Sequence, residues 1–333
     1  MTSESSLGLP SVSARQSRHS GNEVEDLGTD YDSHDRVREG DLGQVVVDGL
    51  VHLLDLEKIE EDIYRGVSPK SRWQRVFGGQ VAGQALVAAG RTVPADRRVH
   101  SLHSYFIRPG DPTVPIVYEV DRIRDGRSFS TRRVVAVQHG KPIFSLSASF
   151  QLEQPGIDHQ PAMPDAPAPE DLPTLEQRYE DSPDAAAFFK MLPRPMDLRY
   201  VDDPPWQQHA KGPRRGLTRV WMRANGVLPA DPLLHVCVLT FASDMTLLDS
   251  ILVHHGLAPG LDPISMASLD HAMWFERPFR ADEWLLYATK SPSAAGSRGL
   301  ATGRFFSRDG RHVASVVQEG MIRVGKPGDR SHD

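Results

Sequence analysis

The sequence predicts an α+β protein built as a tandem pair, each unit an antiparallel sheet wrapped around one long helix. Two helix-like segments of equal length, Gly78–Gly90 and Asp244–Gly256, each precede several β-like runs, and turn signals recur in step between the two blocks. A proline-punctuated stretch separates the blocks. The chain has 333 residues, so two domains of roughly 110 to 150 residues plus extensions is the natural starting point.

Residues 1–44 are rich in Ser, Asp, Glu, Arg and Gly. With little apolar surface to offset ordering entropy, they are expected to form a disordered tail. The first unit is placed at 45–152. Its Ala-rich helix ends on Gly90, Asp125-Gly126 marks a hairpin, and Phe144, Leu146, Ala148 and Phe150 alternate strictly with serines. Residues 153–205 carry Pro155, Pro161, Pro164, Pro167, Pro169 and Pro173 and read as an acidic linker with a short helix around Ala185–Phe189. The second unit is placed at 206–325, where Ser243 or Asp244 is expected to cap a helix over 245–255 closed by Gly256. Ser101 answers Ser268, Gly126 answers Gly296, and Gly140 answers Gly310; residues 326–333 form a C-terminal tail. Each unit alone would leave long edge strands and a bare sheet face, which pairing protects. The competing reading is two unrelated α+β domains.

Formal net charge is −6, with Lys+Arg 38 against Asp+Glu 44. That lacks the broad positive field of sequence-independent nucleic-acid binding, so no nucleic-acid partner is expected. Cys237, the single cysteine, lies in an apolar run and reads as a buried structural thiol. No stretch approaches the ~18 apolar residues of a membrane span. The N-terminus lacks the apolar core of a signal peptide, and Ser331-His332-Asp333 is no peroxisomal address; a cytoplasmic protein is expected. No nucleophile elbow, zinc-protease helix, dinucleotide fingerprint or P-loop occurs, and no His, Cys and carboxylate cluster has metal-site spacing. Neither metal nor cofactor is expected.

Several strings resemble the type II acyl-CoA thioesterase family, a double-hotdog fold. They are Phe77-Gly78-Gly79-Gln80, the run from His103 to Arg108-Pro109-Gly110, and Gly126-Arg127-Ser128-Phe129 with Arg132. In the second block they are Val220–Gly226, Ala242-Ser243-Asp244, Ser268–Phe275 and Ser315–Gly320. Together they cover about residues 46–325. The resemblance implies hydrolysis of fatty acyl-CoA to free acid and CoA, a homo-oligomer, and a catalytic set of Asp244, Ser268 and Gln318. Many members have Thr at the middle position; Ser268 keeps the hydroxyl and loses a methyl. The alternatives are a hotdog protein that binds acyl-CoA without turnover, or an enoyl-CoA hydratase.

The residues support that site by themselves. In register, Asp244 faces Gly78, Ser268 faces Ser101 and Gln318 faces Ala148, so only the second repeat holds all three polar groups. Gln318 should point inward, where an unpaired amide costs about 1–3 kcal/mol. Asp244, at an expected helix N-terminus, should have a lowered pKa. Asp249 and His254 are spaced like the pair of hotdog hydratases but fall inside the expected helix and lack that family's Asn-Pro. His271, beside Asp270, is given a packing role. Arg108, Arg127, Arg277 and Arg298 are candidates for the CoA phosphates, without ranking.

Overall fold

The structure, a computed structural model, describes residues 39–69, 74–180 and 194–325. Most of the expected N-terminal tail, the helix expected near Ala185–Phe189 and the C-terminal tail lie outside the described residues. Helix α1 (Glu39–Leu54) begins inside the segment expected to be tail. Val47, Leu50 and Leu54 share one face of it and are buried.

Among the described residues thirteen strands form one antiparallel sheet. The first block supplies β1 (Glu57–Glu60), β2 (Ile63–Gly66), β3 (Arg97–Phe106), β4 (Ile116–Asp125), β5 (Phe129–Gln138) and β6 (Lys141–Leu152). The second supplies β7 (Met196–Tyr200), β8 (Thr218–Ala224), β9 (Ile264–Ser268), β10 (Asp270–Phe275), β11 (Leu285–Ala295), β12 (Arg298–Ser307) and β13 (His312–Val324). The order is β1-β2-β4-β5-β6-β3-β10-β13-β12-β11-β8-β7, with β9 also on β13, a pseudo-twofold arrangement about the β3–β10 seam. There Ser101 faces Trp274 and Tyr105 faces Asp270. The hairpin signals Asp125-Gly126 and Asp309-Gly310 fall at the β4–β5 and β12–β13 turns, with positive φ at Gly310 and not at Gly126; His139-Gly140 and Gly296-Ser297 form two further turns, each of two residues with positive φ at both positions.

Two parts of the expected linker are ordered. Met196–Tyr200 is the edge strand β7, and Met163, Ala166 and Leu172 pack with Trp221, Trp284, Leu286 and Phe306 on the sheet face away from the main core. The prolines remove local regularity, yet apolar side chains between them still find a surface to bury against.

Helix α2 (Gly78–Gly90) matches its expected span. Gly90 is its last residue and is not left-handed; a Cβ there would lie 2.5 Å from Leu233 Cδ2, so the glycine serves close packing. Short helices α3 (Leu175–Tyr179) and α4 (Pro205–Gln208) follow. The second unit's long helix is in two pieces, α5 (Pro232–Ser243) and α6 (Asp249–His255). Asp231 accepts from Leu233 N and Pro232 occupies the first turn, a start signal well before Asp244. Asp244 therefore ends α5 and does not open a helix, contrary to expectation. Gly256 closes α6 in the left-handed region, as read from the sequence.

Helices α2 and α5 run antiparallel in close contact. A Cβ on Gly79 would lie 2.3 Å from Phe241 O, and one on Gly83 would lie 3.3 Å from Cys237 O. This places the start of α2 beside Asp244. Cys237 is fully buried, and burial pushes its thiol pKa up, as befits a structural residue.

Candidate active site

The structure brings Asp244, Ser268 and Gln318 together from three elements: the end of α5, the last residue of β9 and the middle of β13. Gln318 Nε2 donates to Asp244 Oδ1 at 2.9 Å and to Ser268 Oγ at 2.8 Å. Ser268 Oγ donates to Asp244 Oδ1 at 3.1 Å. Gln318 is 0% exposed, so the partner its buried amide required is present.

A helix N-terminus does face Asp244, but it belongs to α2 of the first unit. The Gly79 N–H donates to the carboxylate, and a Cβ on Gly78 would lie 2.7 Å from Asp244 Oδ2. The pKa of Asp244 is nevertheless raised. Burial is the largest cause, and it outweighs the opposing pulls of His271, Gln318, Ser268 and the Gly79 N–H. The sequence expectation had the opposite sign because it weighed the helix N-terminus and not burial.

Strand pairing also corrects one landmark. Gln318 and Ala148 correspond, each following its hairpin glycine at equal spacing. Two residues on, Gly320 faces Ser268 while Phe150 faces Val99. Ser268 thus answers Val99 and not Ser101. The first unit is apolar at both strand positions of the site, Val99 and Ala148.

Sequence reasoning missed His271. Leu269 interrupts the strand between β9 and β10, its N–H bonded to Glu319 O and its carbonyl to Phe106 N. This irregularity puts Ser268 and His271 on the same inward face, three residues apart where regular alternation needs an even spacing. His271 is 1% exposed; its Nδ1 meets Gln318 Oε1 and its Nε2 lies 2.9 Å from Ser243 Oγ. Only the strand break, which no residue type announces, could have revealed this. Ser243 is 0% exposed and its Oγ also lies 2.9 Å from Thr240 O, so the Ser243–His271 contact is no accessible nucleophile pair.

The other candidates lie apart from this cluster. Asp249 bonds Tyr200 Oη at 3.2 Å and not His254; burial pushes its carboxyl up to about 7. Arg277 is engaged by Asp158 and His312 O, Arg298 by Glu319, and Arg108 by Pro142 O. Among the described residues no three His, Cys, Asp or Glu are grouped to hold a metal, and no helix is long and apolar enough to cross a membrane.

Residues 194–321 match the acyl-CoA thioesterase family, and residues 69–151 match its N-terminal domain. Acyl-coenzyme A thioesterase 8 of Mus musculus is 43% identical over 314 residues, covering 88% of this chain and 95% of that protein. The chain belongs to the type II acyl-CoA thioesterase family. Acyl-CoA thioesterase 2 of Haemophilus influenzae is 38% identical over 290 residues, covering 84% and 99% of the two chains. A solved acyl-CoA thioesterase II from Mycobacterium marinum superposes with TM-score 0.69 at 47% identity, covering 84% and 98%. A hotdog protein from Alicyclobacillus acidocaldarius, at 18% identity and TM-score 0.67, shares the fold. The thioesterase is accordingly an acyl-CoA thioester hydrolase with a tandem hotdog fold; hydration of enoyl-CoA and binding without turnover are not favoured.

Proposed function

We propose that Asp244, Ser268 and Gln318 form one hydrolytic centre acting on fatty acyl-CoA by direct attack of water. The observation that carries this is the sharing of Asp244 Oδ1 by Ser268 Oγ and Gln318 Nε2 beside the start of α2. A carboxylate with a raised pKa is a better base than a solvated one. The water oxygen bonds to the thioester carbonyl carbon as its proton passes to Asp244. Backbone N–H groups at the start of α2 meet the oxyanion, because the N–H bonds of the Gln318 amide are taken by Asp244 and Ser268. Collapse breaks the C–S bond, and the CoA thiolate takes the proton. Thioesters need little further help, because sulfur donates poorly into the carbonyl and leaves readily.

If the three residues share one water, each single replacement should remove most of kcat, and double replacements should cost little more than singles. Asp244→Asn should lower kcat more than it raises KM. Single-turnover hydrolysis in oxygen-18 water separates the routes: label in the released acid supports water attack, whereas label in the Asp244 carboxylate would mean an anhydride intermediate. Self-association is part of the same reading. Tyr105, on the central strand β3, is 66% exposed, and light scattering should give a mass above that of one 36.9 kDa chain.

A further inference from the structure

We propose that His271 is a positioning residue that decides which end of the Gln318 carboxamide faces Asp244, given the hydrolytic centre proposed above. Both N–H bonds of the Gln318 amide are used, one on Asp244 Oδ1 and one on Ser268 Oγ. Its Oε1 faces His271 Nδ1. An ionised carboxylate only accepts, so an amide turned end for end would set its carbonyl oxygen against Asp244 with no proton between them. A carboxamide is nearly symmetric in shape, and packing alone cannot choose its orientation. A donor at Nδ1 does choose. It bonds the oxygen end and repels the NH2 end; in that tautomer the other imidazole nitrogen, 2.9 Å from Ser243 Oγ, accepts the hydroxyl's one proton in place of Thr240 O.

Burial supports this role. Ser243, His271 and Gln318 are 0%, 1% and 0% exposed, so water cannot replace the bond if it is lost. The first unit supplies a natural contrast: at the corresponding strand positions Leu102 and Ala148 face each other, and neither the polar pair nor the carboxylate is present there. Polar character appears at both positions only where an amide has a carboxylate to orient toward. Reading Ser243–His271 as a covalent dyad fails on access, since no substrate reaches a hydroxyl that is fully buried.

The test is a double-mutant cycle with His271→Leu and Gln318→Ala, measured as kcat and KM on one acyl-CoA. His271→Leu should lower kcat by about tenfold to a hundredfold with KM nearly unchanged, and should cost less than about twofold once Gln318 is Ala, because no amide then remains to orient. An equal cost in both backgrounds would show a merely structural histidine. A Gln318→Ala variant with full kcat would instead overturn the hydrolytic centre, so the two failures differ. His271→Asn, which keeps an N–H donor near the Nδ1 position, should recover most of the rate lost in His271→Leu; no recovery counts against the assignment. Nitrogen-15 spectra of the unmutated thioesterase need no variant to fold: a proton on Nδ1 is expected, and a tautomer protonated only at Nε2 would overturn the idea.

Discussion

At the residue scale, the site depends on groups too small to draw attention. Gly78 leaves room for Asp244 Oδ2 and for the Phe106 ring, whose Cε1 would lie 2.8 Å from an added Cβ. Gly78→Ala should displace the carboxylate and lower kcat by about tenfold to a hundredfold, with a small change in melting temperature, read by steady-state kinetics and thermal unfolding. Asp249 gives a separate, pH-linked prediction. Its folded pKa of about 7 is raised from 3.8 by burial. Between those values the folded state holds a proton that the unfolded state has released, so stability falls as pH rises through this window. Asp249→Asn should raise the melting temperature at pH 8 and leave it nearly unchanged near the lower bound. A wild-type loss that persists in the variant would assign it to another group.

At the element scale, the decisive contact is α2 against α5, where glycines bring the two backbones close. Gly83→Leu would press on Leu54 Cδ2, 3.1 Å from an added Cβ, and on Cys237 O. It should destabilise the fold by about 1–3 kcal/mol, read as a shifted urea midpoint with unchanged slope. Much at this scale was legible in the sequence. The alternation of β6, the span of α2, the turn signals and the closing Gly256 all follow from local chemistry. The set Asp244, Ser268 and Gln318 came from the family resemblance, to which strand phase added that an inward-pointing Gln318 demands polar company. What escaped were departures from regularity. The helix break after Ser243 moved Asp244 from a helix start to a helix end, and the interruption at Leu269 turned His271 inward. Both are set by tertiary packing, which no local period records. The sign of the Asp244 shift was misjudged for the same reason: burial is a property of the assembled units.

At the scale of the whole molecule, the two units share one sheet through β3–β10 and one helix pair, and α1 of the first unit reaches the second through Gln44, which bonds both N–H and C=O of Val227. Separately expressed fragments ending near residue 152 and beginning near residue 194 should each expose a central strand edge and aggregate, while coexpression should restore hydrolysis. Soluble, folded single fragments by circular dichroism would contradict this.

The unequal halves have an evolutionary consequence. A pair of identical subunits about a true twofold axis must repeat every residue, so a buried carboxylate in one would be a buried carboxylate in both, with the desolvation penalty doubled. Joining two copies in one chain frees each to drift alone. Val99 and Ala148 can then consolidate the core on one side while Ser268 and Gln318 hold Asp244 on the other. Fusion thus lets the enzyme bear the instability of a half-buried acid once and lend the start of the opposite helix to it.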